Sequence, residues 1–424
     1  MRGTKGVPDA LFWRIRQRRR ALRLAPKIGG RADTTRMSLP SSDTDTLIRI
    51  HDDPAQIDAA AWNALLASQA APTPFMRHEY LLAMHASGSA VAETGWVNQL
   101  LCLQRGGELL GACALYLKSH SYGEYVFDWA WADAYQRHGL HYYPKLLSAA
   151  PFTPVPGSRL LARDAASRQL LLHALRRICE AGELSSAHLL FMDDLDREAA
   201  SGAGWMLRQT VQFHWLNRRP QGYADFGEFL SSLQRDKRKK IAQERRRVAE
   251  AGVAFTVHEG AQIDTALWDF FHHCYTLTYA AHHSTPYLTR DFFAYMQRTM
   301  ARHWVMFVAH RAGQRVGCSL VAIDPERGQA YGRYWGSIEY VPCLHFEACY
   351  YQPLAWCIAR GYDRFEGGAQ GEHKMARGLV PVLTHSAHWL SHPGFADAVA
   401  RHLEREGAGI DAYVDELRER NPFR

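Results

Sequence analysis

Hydrophobic positions along this chain follow one series of periods, and that series occurs twice. A helical period opens at residue 55 and a second runs over 77–86. Two strand-like runs, 98–104 (NQLLCLQ) and 109–118 (LLGACALYLK), then flank a Gly-rich turn. In the second half a helix opens at 261 and another covers 289–301. The runs 304–311 (WVMFVAHR) and 315–323 (RVGCSLVAI) again flank a short turn, Ala312-Gly-Gln314. Apolar runs on either side of a Gly turn predict a hairpin. Each half continues with a further strand, a helix, a buried strand, a loop and a last strand ending in His-Trp-Leu; in the second half that helix covers 344–361. The order predicts an α/β (α+β) unit, a mixed and mostly antiparallel sheet flanked by helices, present in two tandem copies.

Residue identities support the same duplication. AQIDAAAW (55–62) and AQIDTALW (261–268) agree at six of eight positions, at an offset of 206. The same offset aligns Arg105–Gly111 with Arg311–Gly317, and Tyr125 and Trp129 with Tyr331 and Trp335. At His-Trp-Leu (214–216 and 388–390) the offset has fallen to 174, so copy 1 carries an insertion of 32 residues, expected around the Pro-rich PFTPVPGSRLL of 151–161. The expected domains are a basic leader (1–40), copy 1 (41–217), a helical connection (218–254), copy 2 (255–400) and a C-terminal helix or tail (401–424).

Charge is unevenly placed. Residues 1–36 hold eleven Lys/Arg against two acids, which leaves 39 basic against 41 acidic residues from Met37 onward. The body is near neutral, so overall charge carries no argument for nucleic-acid binding. The leader reads as a disordered start with Met37 as the natural first residue, or as an organelle-targeting peptide. No run of about 18 apolar residues crosses a membrane. The eight Cys lack CxxC spacing and read as reduced thiols of a cytoplasmic protein. The connection 226–253 reads as one helix, with eight basic residues and two acids between Arg235 and Arg247. That run is either a solvated face or a grip on phosphates of a substrate or tRNA.

Several long segments resemble a bacterial family of predicted N-acyltransferases, FemAB-like proteins described as acting in peptidoglycan biosynthesis or recognition. They are YLKSHSYGEYVFDWAWADAY (116–135), YYPKLL (142–147), PFTPVPGSRLL (151–161), HFEACYYQ (345–352) and GAQGEHKMARGLVPVLTHSAHWL (368–390). The resemblance covers about 47–420. It implies two tandem GNAT-like (N-acetyltransferase-like) domains that transfer an acyl or aminoacyl group from an activated donor, acyl-CoA first, to an amine. A tRNA-dependent aminoacyltransferase acting on a cell-wall precursor is the alternative, and a non-catalytic binding module is another. The usual GNAT pyrophosphate signature, Gln/Arg-x-x-Gly-x-Gly/Ala, follows neither central strand; YGEYVFD and YGRYWGSIEY stand there.

Acyl transfer needs a neutral amine, an oxyanion donor and contacts for the leaving group. The stretch FEGGAQGEHKMARG (365–378) supplies suitable side chains after a strand. Lys374 is followed by Met375, which excludes a Walker P-loop. Adjacent Glu372 and His373 diverge, so no metal is expected, even with His385 and His388 nearby in sequence. The remaining readings are a plain Gly-rich connection or a substrate loop. In the latter, Gly367, Gly368, Gln370 and Gly371 bring backbone to the ligand, Lys374 and Arg377 meet its phosphate or carboxylate, and Glu372 or His373 serves the amine. Copy 1 has the acidic DDLDREAASGAGWM (193–206) at this place. Glu347, among apolar neighbours, is a further candidate base or a helix-terminal Glu. Tyr334 and Trp335 complete the expected binding set.

Overall fold

The computed structural model describes residues 46–369 and 371–424, so the basic leader and Gln370 lie outside the described residues. The two AQID segments build the same local structure. Asp58 and Asp264 each cap a helix, Ala59–Ala67 and Thr265–Ala281, by accepting from backbone N–H groups of its first turn. Trp62 and Trp268, four residues after each cap, are buried in one continuous core shared by both copies. Both predicted hairpins form: Leu100–Arg105 with Glu108–Cys113, and Trp304–Arg311 with Gln314–Asp324.

Among the described residues the strands form a four-stranded and an eleven-stranded sheet. The larger sheet unites the copies by exchange. Copy 1 ends in strand Met206–Leu216, which lies between two strands of copy 2, Arg364–Ala369 and Val380–Leu390. Val380–Leu390, the last strand of copy 2, in turn pairs with Ser186–Met192 of copy 1. Each terminal strand therefore completes the other copy. The His-Trp-Leu residues occupy matched places, with His214 opposite Glu366 and His388 opposite His188.

Five expectations need correction. The strand equivalent to Gln329–Ser337 of copy 2 is Lys145–Ser148, because each runs parallel to the matched inner strand, Arg364–Ala369 or Ser186–Met192. Tyr125 and Trp129 are thus not partners of Tyr331 and Trp335: Tyr125 sits in a loop and Trp129 starts helix Trp129–Arg137. Most of the insertion accordingly lies between Leu115–Lys118 and Lys145–Ser148, where copy 2 has only the turn 325–328. Residues 226–253 form two helices, Phe226–Ser232 and Arg235–Glu250. Leu233 between them turns extended, is buried, and pairs with Phe423. The helix expected over 344–361 is interrupted by a π-helical turn at Glu347–Tyr351 before Gln352–Ala359. One helix, Pro393–Glu419, runs through the expected boundary at 400.

Candidate active site

Strands Gln329–Ser337 and Arg364–Ala369 pair at only three positions, ending at Tyr331 opposite Glu366, and then part. On its other edge Gln329–Ser337 carries a bulge: Val321 faces Gly332, Leu320 faces Tyr334, and Arg333 is left over. The parting strands open a cavity of about 190 Å³ lined by Ser319, Gly332, Trp335, His345, Cys349, Tyr350 and Gly367. A second cavity, of about 320 Å³, is lined by Tyr275, Thr278, Tyr279, His282 and Ser284. Arg333, Tyr334 and Trp335 border both.

His345 enters the first cavity from the helix that follows, its ring 5.3 Å from Trp335 and 5.8 Å from Tyr350. Burial, helped by His373, Arg377 and Lys374, pushes its pKa down to about 4, so the imidazole is neutral at pH 7. Burial raises the Tyr350 phenol above its ordinary value. Its hydroxyl stands 3.5 Å from His373 Nε2, and that ring is also depressed by burial and by Arg377 and Lys374. Arg333 donates to the Phe152 carbonyl at 2.8 Å and to Thr153 and Tyr334, while its shielded Nε has no partner among the described residues.

The structure gathers part of the expected set. Tyr334, Trp335 and Gly367 line the cavity, and His373 stands at its rim through Tyr350. Gly367 has no room for a side chain, since a Cβ would lie 2.5 Å from Leu379 and 2.9 Å from the Phe213 carbonyl. Lys374 is buried and donates to the carbonyls of Gly367 (2.6 Å) and Gly368 (3.2 Å), holding the strand end in place. Burial lowers its pKa to about 8. Gly368 and Gly371 both adopt positive φ.

Other members point elsewhere. Arg377 stacks over Phe346 at 3.6 Å and donates to Glu244 of the basic helix at 2.8 and 2.9 Å. Glu372 is exposed and accepts from Tyr413 and Arg420 near the C-terminus, both at 3.0 Å. Glu347 is buried between Arg245 and Gln352, at 3.2 and 2.7 Å.

Sequence reasoning passed over Arg333 and Glu366. Glu366 is buried where the strands part; its Oε1 meets Arg364 at 3.3 Å, and its Oε2 lies 3.9 Å from His214 without a hydrogen bond. Burial pushes this carboxyl up to about 7, against the pull of Arg364. The available signal was a charge inside an otherwise apolar strand, immediately before Gly367.

Two tandem units, each with a parallel strand pair that parts at its end, make up the expected GNAT-like fold. The chain belongs to the FemAB-like family, described as peptidoglycan biosynthesis/recognition, whose model matches residues 53–424. Among solved structures it is similar to the C-terminal domain of a putative lysylphosphatidylglycerol synthetase from Agrobacterium fabrum (TM-score 0.50, 10% identity, 82% of this chain and 96% of that one). It is likewise similar to L-PGS from Bacillus licheniformis (0.50, 11%, 82% and 97%) and to FemX (0.48, 11%, 81% and 98%). No curated protein matches the chain.

Proposed function

We propose that this protein transfers an acyl group from an acyl-CoA to an amine in the cavity of copy 2. The observation that carries this is the parted strand pair with a bulge on its edge. Backbone groups released where strands part can pair with an extended donor arm as an added strand would. The bulge leaves a residue outside the ladder, so its N–H is a donor for the oxyanion that forms as the amine attacks the acyl carbonyl. His345, held neutral, accepts the proton released as the carbon–nitrogen bond forms. Tyr350 stays protonated and donates to the departing thiolate, with His373 as its link to solvent. Lys374 holds the glycine-rich edge that the donor runs along. The reaction is placed in the cytoplasm, with a cell-wall precursor as one class of acceptor.

A second reading, an aminoacyl-tRNA donor, is favoured by the basic helix. Lys239, Lys240, Arg246 and Arg247 are exposed on it, Lys240 is within electrostatic reach of His373, and Glu244 ties the helix to Arg377. Thermal-shift titrations with acyl-CoAs, UDP-sugar precursors and charged tRNA separate the readings, because a ligand bound only by the folded state raises its stability. Stabilisation by acyl-CoA with transfer to an amine is the expected result. A salt-steep shift with tRNA alone selects the second reading. Binding without transfer of any group makes the protein a recognition module.

A further inference from the structure

We infer that the insertion of copy 1 is a saccharide-binding platform, on which a pyranose ring of the acceptor stacks beside the cavities of copy 2. Three of the exposed large hydrophobic side chains belong to this one segment: Tyr122 (58% exposed), Phe127 (47%) and Trp129 (39%). They touch one another. Phe127 and Trp129 lie nearly parallel, 18° apart with centroids 6.1 Å apart, and Tyr122 meets Trp129 at 5.1 Å. Copy 2 has only a four-residue turn at the same place.

The platform is anchored from below by groups that are costly to bury. Asp128, between Phe127 and Trp129, points inward and accepts from Lys145 at 2.5 Å, Tyr142 at 2.6 Å and Ser121 at 2.5 Å. Glu124 accepts from the same Lys145 at 2.7 Å. The backbone at Tyr125 is held in the sparsely populated left-handed region, at φ +63°. A fold that needed only a connection here would bury the three rings and leave the charges in water. The arrangement is inverted, and such strain gathers where a surface has to be presented in one shape.

The chemistry fits a sugar. The near-parallel rings of Phe127 and Trp129 offer apolar faces to the C–H face of a pyranose, and Tyr122 is inclined at 65° to Trp129 beside them. Asp133, exposed one helical turn beyond Trp129, and half-buried His120, 5.2 Å from Tyr122, flank it with groups that can bond hydroxyls. Three rings are far smaller than the roughly 800 Å² that each partner of a stable protein complex buries. The platform is also continuous with the candidate site. Gly123, next to Tyr122, packs on Phe152, whose ring a Cβ there would meet at 2.5 Å. Phe152 stacks on Tyr287 at 4.7 Å, and Tyr287 meets Tyr279, a wall of the larger cavity, at 5.7 Å.

The stacking itself is independent of the acyl-transfer reading; only the term acceptor rests on it. The test is therefore binding: the full chain is titrated with a β-1,4-linked N-acetylglucosamine tetramer, followed by tryptophan fluorescence and calorimetry. Saturable binding is expected, weakened about tenfold by Trp129→Ala and several-fold by Tyr122→Ala or Phe127→Ala. Tyr340→Ala, at an exposed tyrosine outside the platform, should leave it unchanged, and melting temperatures should show that every variant is folded. No saturable binding by the native chain, or equal binding by folded Trp129→Ala, overturns the proposal. So does binding of phosphatidylglycerol vesicles that Trp129→Ala abolishes, which would make the patch a lipid contact. Tetramer binding with no acylation of any amine keeps the platform and removes the acyl-transfer reading instead.

Discussion

The two copies treat the same gap in opposite ways. In copy 1 the parallel strands Lys145–Ser148 and Ser186–Met192 pair at three positions and then part, as their counterparts do in copy 2. There the chain's own Pro-rich segment fills the opening. Gly157 donates to the Phe191 carbonyl at 2.9 Å, Arg159 donates to the Leu190 carbonyl at 2.8 Å, and from Ala149 to Arg159 only Pro156 is not buried. In copy 2 the same opening is a cavity. The plug also reaches across, since the Phe152 and Pro154 carbonyls accept from Arg333 and Gln212. Duplication thus left one cleft open and filled the other with the chain's own segment, which also braces the open one.

This division can be tested at matched places. The largest effect is expected in the supporting half, at Lys145, which is buried with two carboxylates. Lys145→Met leaves both unpaired and should cost about 3–5 kcal/mol in urea denaturation. A loss under about 1 kcal/mol would remove copy 1's role as scaffold.

Glu366 and His188 occupy equivalent positions and should give stability slopes of opposite sign. Burial raises folded Glu366 to about 7, so between pH 4.5 and 7 the folded state binds more protons and stability falls as pH rises. The loss approaches about 3 kcal/mol at the upper end. Glu366→Gln should abolish that part of the slope. Burial lowers His188 to about 3, so between pH 3 and 6.5 the unfolded state binds more protons and stability rises with pH. Unfolding free energies at pH 5 and 7.5 for the native chain, Glu366→Gln and His188→Gln read both signs; equal signs would break the contrast.

Next comes turnover: His345→Ala should slow transfer about 100-fold with little change in melting temperature. Full activity in that variant would move the chemistry out of copy 2. The smallest effect is expected for Lys374→Ala, a weakening of anionic-donor binding by about fivefold in a folded protein, as the strand end at Gly367 and Gly368 loses its charged donor. Unchanged donor affinity and turnover would return the loop to a plain connection.

The fold was largely readable because its local signals are self-contained. Asp58 and Asp264 as caps, Trp62 and Trp268 as core, and the Gly turns of both hairpins depend on neighbours a few residues away. The strand exchange was not readable, because alternation in Met206–Leu216 is the same whichever copy supplies the flanking strands. A coincidence of Tyr and Trp spacing misplaced the insertion, and Leu233, apolar at a helical interval, hid the break between two helices. Of the candidate site, the glycine edge could be read and Lys374 singled out, but for a ligand's phosphate rather than for the Gly367 and Gly368 carbonyls it meets. Arg333 and Glu366 take their places through a bulge and a strand divergence that only pairing reveals.

The exchanged terminal strands make the two halves a mutual clasp. A chain cut between the copies, in the 218–225 loop, would yield two pieces that each lack an inner strand and offer the other a matching slot. Neither piece should fold alone, yet together they should reassemble, as a naturally complementary split protein would. During synthesis copy 1 must wait, its Ser186–Met192 edge unpaired, until Val380–Leu390 emerges nearly two hundred residues later. The last step of folding is then also the one that closes both halves at once.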